Sequence, residues 1–422
     1  MVDLSTNCGG IRSPNPFWLA SAPPANSGPQ IQRAFDHGWG GAVWKTLGTP
    51  IQNVSSRFGG VDYRGLKNIG FNNIELITDR PLESNFREIY ETKKKYPKHA
   101  VIVSLMVETR EQWQDIIKRA IDAGADGLEL NFGCPHGMCE RGMGSAVGQE
   151  PKVNQEITSW AVEYSTVPVL VKLTPNVANI VPHGLAAQRG GAHGVSLINT
   201  IKSIIGVDID RFVPQPFVAG RSTNGGYCGA AVRPIALHMV AALAREPEFR
   251  IPISGIGGVT NWRDAVEFML LGASSVQVCT EVMLRGYRIV EDMIEGLTDY
   301  MRDKGFSKLD DMIGKAVPNF TEWGELDLNF ETVAKIDANA CIGCHLCVVA
   351  CDDGAHQCIH PAKDSRVPVV DEAECVGCNL CQIVCPVPGC ITMAPVDNGF
   401  APATWNDHVH DGKPLRPKKA AH

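Results

Sequence analysis

The sequence has no long hydrophobic run, and this absence limits where the protein can work. No apolar stretch among its 422 residues approaches the roughly 18 residues needed to span a bilayer, so a membrane protein is not expected. The opening residues, MVDLSTNCGG, contain neither the basic segment nor the apolar segment of a secretory signal. We therefore predict a cytoplasmic protein, in a compartment where disulfides are rare.

Basic residues are also in the minority. Lys and Arg total 39 against 46 Asp and Glu, which gives a net charge of −7. A protein that binds nucleic acid normally presents a basic face, so the composition argues against that class.

A third absence is the fingerprint Gly-x-Gly-x-x-Gly, which binds dinucleotides after a strand. The segments GWGGAV and GIGGVT come near it, but each lacks the last glycine. The chain is therefore not expected to bind NAD(P)H in a Rossmann fold, and a redox activity would need electrons from a partner.

What is present begins with eight short apolar strands, separated mostly by helices. Runs such as VPVLVKL, GVSLIN and SVQVC are continuous rather than alternating, which is typical of parallel strands buried on both faces. They predict an α/β fold, a (β/α)8 TIM barrel over residues 1–305. The alternative, a doubly wound open sheet, is disfavoured by the count of eight and by the missing fingerprint. The predicted strands are 16–22, 41–46, 100–106, 128–132, 168–173, 195–199, 251–254 and 275–280.

The rest of the chain divides into three parts. Hydrophobic periodicity fades over 306–335, which predicts a connector. Residues 336–395 are predicted to form a small α+β domain of the two-cluster ferredoxin-like type. The polar, proline-containing tail over 396–422 is expected to be disordered.

Ten of the 15 cysteines lie between Cys341 and Cys390, which in a reducing compartment indicates metal ligands. Two runs of C-x2-C-x2-C-x3-C match a pair of [4Fe–4S] clusters, in which the fourth cysteine of each run ligates the other cluster. Two zinc sites are the alternative, but zinc motifs usually pair CxxC units across a longer loop. Cys358 and Cys390 fall outside the spacing and are interpreted as packing residues. The predicted ligands are Cys341, Cys344, Cys347 and Cys385 for one cluster and Cys375, Cys378, Cys381 and Cys351 for the other.

Two adjacent clusters conduct single electrons, so a redox centre is expected at each end, and a flavin converts single electrons into hydride chemistry. The segment SGIGG follows the seventh strand and opens a helix, where Gly257 and Gly258 would let backbone N–H groups approach a flavin phosphate. Lys45 and Lys172 each end a strand at the same face of the barrel. Either lysine could stabilise the electron-rich edge of a reduced flavin.

The segment 127–148, GLELNFGCPHGMCERGMGSAVG, carries the expected chemistry. It starts as a buried strand and breaks into a glycine-rich loop that contains Asn131, Cys134 and His136. Barrel enzymes place their active sites at this end of their strands. A lone cysteine is commonly a small packing residue, but one followed by Pro, His and Gly on a loop favours a functional thiol. His136 either orders the loop or lies in solvent.

Several motifs together resemble a known family, the dihydroorotate dehydrogenase superfamily. They are NPFWLASA, VWKT, NNIELI, LELNFGCPHGMCERGMG, VKLTPN, LINT, GGYCGAAVRPIAL, ISGIGG and VQVCT. Together with the cysteine runs they closely resemble dihydropyrimidine dehydrogenases, specifically the FMN and iron–sulfur subunit of the bacterial NAD-dependent enzymes. The resemblance extends to about residue 395. Gly133, where many relatives have Ser, is one departure from the family. Within the cysteine runs, Asp352 stands where the second run has Pro386.

The resemblance implies reversible reduction of uracil or thymine to the 5,6-dihydropyrimidine, with hydride from FMN to C6 and a proton from Cys134 to C5. Electrons would come through the clusters from a partner subunit that binds FAD and NAD(H), in a hetero-oligomer. The implied pyrimidine ligands are Asn73, Asn131, Asn199 and Thr200. The implied FMN ligands are Ala20, Ser21, Lys45, Thr46, Lys172, Asn199, Thr200, Gly229, Gly257, Gly258, Cys279 and Thr280.

An unperturbed thiol is mostly protonated near pH 7, so Cys134 suits an acid in the reducing direction. Two alternatives stay open. One is a dihydroorotate dehydrogenase, whose product carries a carboxylate that uracil lacks. The other is a ferredoxin-type electron-transfer protein with the barrel as a scaffold. The fused cysteine-rich domain and the segment HGM-ERGMG favour uracil or thymine.

Overall fold

The computed structural model describes residues 2–135 and 142–417. They form two compact units, Met1–Phe320 and Thr321–His422, and each unit has its own buried core. Among the described residues, no helix combines the length and the apolar character needed to cross a membrane.

The first unit is built from strands that alternate with helices. Its strands are β1 (Thr6–Cys8), β2 (Ile11–Ser13), β3 (Phe17–Leu19), β4 (Gly41–Leu47), β5 (Phe58–Tyr63), β6 (Leu66–Asn73), β7 (Ala100–Leu105), β8 (Gly127–Asn131), β9 (Val169–Lys172), β10 (Gly194–Leu197), β11 (Ile201–Ser203), β12 (Gly206–Asp208), β13 (Val213–Gln215), β14 (Gly225–Cys228), β15 (Ile253–Ile256) and β16 (Ala273–Val278). Its helices are α1 (Gly28–His37), α2 (Leu82–Lys95), α3 (Arg110–Asp122), α4 (Ser145–Gly148), α5 (Pro151–Tyr164), α6 (Val181–Arg189), α7 (Arg233–Ala244), α8 (Trp262–Leu270), α9 (Thr280–Arg285) and α10 (Ile289–Lys304).

Eight of these strands close into a parallel barrel, in the order β3, β4, β7, β8, β9, β10, β15 and β16. Strands β4, β7 and β9 are buried along their whole length, as their continuous apolar runs require. The predicted TIM barrel is confirmed, and each predicted strand overlaps one strand of the barrel.

The hairpin β1–β2 closes the amino-terminal end of the barrel. Cys8 and Ile11 from the hairpin pack with Trp18 and Leu170 from inside the barrel. A Cβ atom on Gly127, the first residue of β8, would lie 2.4 Å from the Cδ1 atom of Ile11. A glycine at that position therefore lets the hairpin sit against the strand ends.

Two long segments between barrel strands form a sheet together. Strands β5 and β6 follow β4, while β11 and β14 follow β10, and the four pair antiparallel in the order β11-β14-β6-β5. Asn73 at the end of β6 is opposite Gly226 in β14. The insertions thus build an upper sheet over the carboxyl ends of the barrel strands.

The second unit is small and rich in cysteine. Its strands are β17 (Thr332–Ile336), β18 (Ile359–His360), β19 (Val369–Val370) and β20 (Ile391–Pro395), and its helices are α11 (Leu346–Val348), α12 (Leu380–Val384) and α13 (Trp405–Asp411). Strand β17 pairs antiparallel with β20, and β18 pairs antiparallel with β19.

The structure differs from two predicted boundaries. Leu309 and Met312, placed in the connector over 306–335, are buried in the core of the first unit. The tail from 396 was expected to be disordered, but helix α13 lies within it and begins with a capping box at Thr404. The side-chain amide of Asn329 also donates to the carbonyl of Ala401 at 2.7 Å. Polar composition alone therefore misjudges a segment that is held by specific hydrogen bonds.

Candidate active site

A cavity lies at the carboxyl ends of the barrel strands, beneath the upper sheet. It brings together every residue that the sequence predicts to bind FMN or the pyrimidine or to donate a proton. These residues are Ala20, Ser21, Lys45, Thr46, Asn73, Asn131, Cys134, Lys172, Asn199, Thr200, Gly229, Gly257, Gly258, Cys279 and Thr280.

Two asparagines on neighbouring parts of the barrel are joined directly. The amide of Asn199 donates to Oδ1 of Asn131 at 3.2 Å, and the amide of Asn131 donates to Oγ1 of Thr46 at 3.0 Å. The backbone N–H of Gly133 also donates to Oδ1 of Asn131 at 3.2 Å, and that of Thr200 donates to Oδ1 of Asn199 at 3.0 Å. These contacts fix the orientation of both amides before any ligand arrives.

Asn73 reaches the same cavity from the upper sheet. Its side-chain amide donates to the carbonyl of Gly226 at 3.3 Å. A Cβ atom on Gly226 would lie 2.2 Å from Oγ1 of Thr200, so a glycine is needed where the sheet meets that threonine. The pairing of β6 with β14 therefore sets the position of Asn73 relative to the barrel.

Cys134 follows β8 and is only 8% exposed. It packs with Met106 and Met143 in a small apolar cluster, and its carbonyl accepts from the backbone N–H of Ser145 at 3.0 Å. The thiol thus lies at the wall of the cavity in an apolar setting. His136, the other candidate of this loop, lies outside the described residues.

Lys45 forms a buried ion pair. Its Nζ atom lies 2.7 Å from Oε1 of Glu75, and the two side chains are 5% and 7% exposed. Arg57 adds a second cation, with Nε at 3.4 Å from the same oxygen. Glu75 lines the cavity, yet it was not among the predicted site residues.

Lys172 faces a second buried carboxylate. Its Nζ atom lies 3.7 Å from Oε1 of Glu129, which is fully buried inside the barrel. The other oxygen of Glu129 accepts from Oγ of Ser196 at 2.6 Å and from Nε2 of Gln277 at 2.9 Å. Strand register places Asn131 beside Lys172, so this polar layer supports both residues from below.

Gly257 and Gly258 form a cradle between β15 and α8. Their φ angles are +128° and +75°, a region that glycine adopts at little cost. A Cβ on Gly257 would lie 2.7 Å from Cβ of Ala236, and one on Gly258 would lie 2.9 Å from the carbonyl oxygen of Gly229. Backbone rather than side chain thus faces the cavity here, which fits a phosphate group.

The start of α8 holds this cradle in place. Oδ2 of Asp264 accepts from the backbone N–H and the hydroxyl of Thr260, at 2.8 Å and 2.6 Å. The guanidinium of Arg233 pairs with the same carboxylate, and Asn261 completes a capping box with it. Asp264 therefore links the loop to both α7 and α8.

Two further cysteines line the cavity but are poor candidates for acid–base chemistry. Burial raises the pKa of Cys228 to about 11 and that of Cys279 to about 12. A raised pKa makes each thiol a weaker proton donor than an unperturbed cysteine, and near pH 7 neither forms the thiolate that could accept a proton. Thr280 donates to the sulfur of Cys228 at 3.4 Å, which gives that thiol a structural partner.

The eight predicted cluster ligands form two groups in the second unit. Each group lines a separate cavity, and in each the fourth cysteine comes from the other run, as the spacing predicts. Each cavity also contains a fifth cysteine, Cys358 in one and Cys390 in the other. Cys358 lies 3.4 Å, sulfur to sulfur, from Cys351, so it packs directly against a predicted ligand.

Within the part of the chain that the structure describes, no three His, Cys, Asp or Glu side chains are arranged to hold a single metal ion.

The fold and the site together agree with the families that match the chain. Residues 3–301 match the dihydroorotate dehydrogenase family, and residues 334–393 match the 4Fe–4S dicluster domain. The chain belongs to the dihydroorotate dehydrogenase family. Its predicted place among the oxidoreductases of this family is confirmed, as is a dicluster domain at the carboxyl-terminal end.

Relatives of the chain have different named activities. The chain is 43% identical to the NAD-dependent dihydropyrimidine dehydrogenase subunit PreA of Escherichia coli, over 93% of this chain and 96% of that one. It is 41% identical to the chloroplastic dihydropyrimidine dehydrogenase (NADP(+)) of Arabidopsis thaliana, over 77% and 79%. It is 38% identical to the catalytic subunit of dihydroorotate dehydrogenase B (NAD(+)) of Pyrococcus horikoshii, over 73% and 96%.

The buried carboxylates are what reasoning from the sequence missed. Glu75 stands in the motif NNIELI and Glu129 in LELNF, both of which were recognised as segments of the family. A carboxylate within a strand-like apolar segment is a usable signal, because charged side chains are almost never fully buried unless they are paired.

Proposed function

We propose that this chain is the pyrimidine-reducing subunit of a cytoplasmic dihydropyrimidine dehydrogenase, which interconverts uracil or thymine and their 5,6-dihydro forms in the degradation of pyrimidine bases. The observation that carries the proposal is the single cavity that gathers amides, a thiol, two lysines and a glycine cradle. The Escherichia coli relative, similar along nearly the whole chain, bears the name of this activity.

FMN is the cofactor that we propose for the cavity. Gly257 and Gly258 would hold its phosphate, while Lys45 and Lys172 would face its ring. When bound, FMN would supply the hydride that reduces C6 of the pyrimidine. The protein's own part is to bind the cofactor, exclude water with a buried wall and hold the substrate in a fixed orientation.

Asparagine side chains would hold the pyrimidine. An amide presents both a donor and an acceptor, which matches the alternating N–H and C=O groups of the ring. Asn131 and Asn199 already hold each other in place, so binding would order few further groups. Cys134 would donate its thiol proton to C5 in reduction and accept it in the reverse direction.

The cysteines of the second unit would hold two [4Fe–4S] clusters, which conduct electrons to the flavin. Cys341, Cys344, Cys347 and Cys385 would ligate one, and Cys375, Cys378, Cys381 and Cys351 the other. We propose that the electrons come from NAD(H) through an FAD-binding partner subunit in a hetero-oligomer. The name of the Escherichia coli relative, an NAD-dependent subunit, supports this arrangement.

A dihydroorotate dehydrogenase is the second candidate, and the similarity to the Pyrococcus horikoshii enzyme supports it. Anaerobic titration of the oxidised holoprotein with dihydrouracil, dihydrothymine and dihydroorotate separates the two. We expect dihydrouracil or dihydrothymine to bleach the visible absorbance of the flavin. Bleaching by dihydroorotate alone would favour the second candidate, and no bleaching by any of them would favour a pure electron-transfer protein.

Cys134→Ser tests the proposed acid. A serine hydroxyl is a far weaker acid than a thiol, so we expect turnover of uracil with an artificial electron donor to fall at least about 100-fold. The FMN content and the affinity for uracil should change little, because the two side chains are similar in size. Undiminished turnover would refute the assignment.

A further inference from the structure

We propose that Glu75 makes this cavity selective for uncharged pyrimidines, by neutralising Lys45 and so excluding a ring that carries a carboxylate. The proposal rests on the proposed function, since it concerns which pyrimidines reach that site. The position of Glu75 in the cavity wall, rather than its sequence motif, indicates this role in specificity.

Glu75 lines the same cavity as Asn73, two residues earlier in the chain, and Cys134. Its side chain is only 7% exposed and lies 2.7 Å from Nζ of Lys45. The negative charge is therefore fixed at the wall against which a substrate would lie.

Both lysines of the described cavity wall face buried carboxylates, Lys45 with Glu75 and Lys172 with Glu129. A neutral pyrimidine disturbs neither pair. An anionic ring would have to compete with Glu75 for Lys45 and would place a second negative charge near it in a poorly hydrated site, where like charges repel strongly.

The role of Glu75 can be tested by removing its negative charge. Glu75→Gln keeps the size of the side chain and leaves an amide oxygen that can still accept a hydrogen bond from Lys45. It releases the positive charge of Lys45, together with that of Arg57 at 3.4 Å from the same oxygen. If an anionic ring is excluded because Glu75 repels it and because Lys45 is already paired, this exclusion should weaken in the variant.

The experiment measures binding rather than turnover. Holoprotein with its FMN and clusters is titrated with uracil and with orotate, and the perturbation of the flavin absorbance gives a Kd for each. In the unmodified protein we expect orotate to bind at least about 100-fold more weakly than uracil. In Glu75→Gln that ratio should fall about tenfold or more, and in the charge-conserving control Glu75→Asp it should stay within about threefold.

A second arm needs no variant. The carboxamide of orotate matches the carboxylate in size but has no charge. If charge decides selectivity, the unmodified protein should bind the amide much more tightly than orotate. Equal rejection of both would show that size excludes them, and this would overturn the proposal even if Glu75→Gln failed to retain FMN.

The outcomes also separate this proposal from the proposed function. Tight uracil binding with an unchanged orotate ratio in Glu75→Gln would refute the role of Glu75 and leave the pyrimidine site intact. If the unmodified protein bound orotate as tightly as uracil, selectivity itself would be absent. If neither ring perturbed the flavin, the proposed function would fail.

Discussion

Gly133 leaves room for the amide that we expect to orient the pyrimidine. A Cβ atom at this position would lie 2.4 Å from both Cβ and Nδ2 of Asn199. Gly133→Ala should therefore displace Asn199 and weaken uracil binding about tenfold, roughly the worth of one hydrogen bond. Perturbation of the flavin absorbance during a uracil titration measures the change.

Gly206 provides the control for this prediction. It lies on β12 with open space around its Cα, so an added methyl group meets nothing within 4 Å. Gly206→Ala should leave the Kd for uracil unchanged. An equally unchanged Kd in Gly133→Ala would mean that Asn199 does not need its present position.

At the scale of residues, the sequence alone predicts the polar groups that end strands and misses those that are buried by partners. Lys45, Asn131 and Cys134 could be predicted because a barrel places its chemistry where strands end. Glu75 and Glu129 were missed: their apolar sequence neighbours hint at burial, but their partners are cations that only the fold brings near. Charge in a sequence normally indicates solvent, and these two residues reverse that rule.

At the scale of elements, the turn from β15 into α8 depends on one carboxylate. Asp264 is 2% exposed, pairs with Arg233 and accepts from several groups of the turn. Asp264→Ala would leave these donors and the guanidinium of Arg233 without their shared acceptor. We expect it to lower the free energy of unfolding by about 3 kcal/mol and to weaken FMN binding, measured by denaturation and by flavin release.

Asp299→Ala is the matched control for the turn. Its ion pair with Arg302 lies on the surface, where both side chains are more than half exposed. Such pairs contribute little, so stability and FMN affinity should stay nearly constant. If Asp264→Ala retained FMN as tightly as this control, the cradle would not depend on the carboxylate.

Strands with a continuous apolar sequence could be predicted. Strands that form only because they pair with a segment distant in the chain could not. Barrel strands such as β9 have continuous apolar runs that fix their type. Strand β6 has the sequence LKNIGFNN, whose glycine and asparagines weaken any strand signal. It forms because β5 and β14 supply hydrogen-bond partners on either side, and β14 lies far away in the chain.

At the scale of the molecule, the two units depend on different forces. Seven of the twelve buried residues in the core of the second unit are cysteines, so that core contains few apolar side chains without the clusters proposed for it. Removal of iron should therefore unfold the second unit, seen as rapid alkylation of its thiols. The flavin proposed for the first unit should still be bleached by a dihydropyrimidine. Thiols that stayed protected without iron would contradict this expectation.

The missing dinucleotide fingerprint makes a prediction for the whole chain. Without the proposed partner subunit, the purified holoprotein should oxidise NADH at a negligible rate yet reduce uracil with an artificial low-potential donor. Addition of the partner subunit should restore the NADH-linked reaction. Rapid NADH oxidation by the chain alone would show a nicotinamide site that its motifs do not indicate.

The pairing of β6 with β14 has a consequence for how the protein is made. Asn73 and Gly226, which the pairing joins, are 153 residues apart, so β6 is synthesised long before its partner emerges from the ribosome. Until then β6 is an unpaired edge strand of the β5–β6 ribbon, and unpaired edge strands can pair with other nascent chains and aggregate. The proposed pyrimidine site would therefore be among the last parts of the protein to fold. A variant in which β6 pairs slowly with β14 should aggregate during synthesis before any loss of activity is seen in the folded protein.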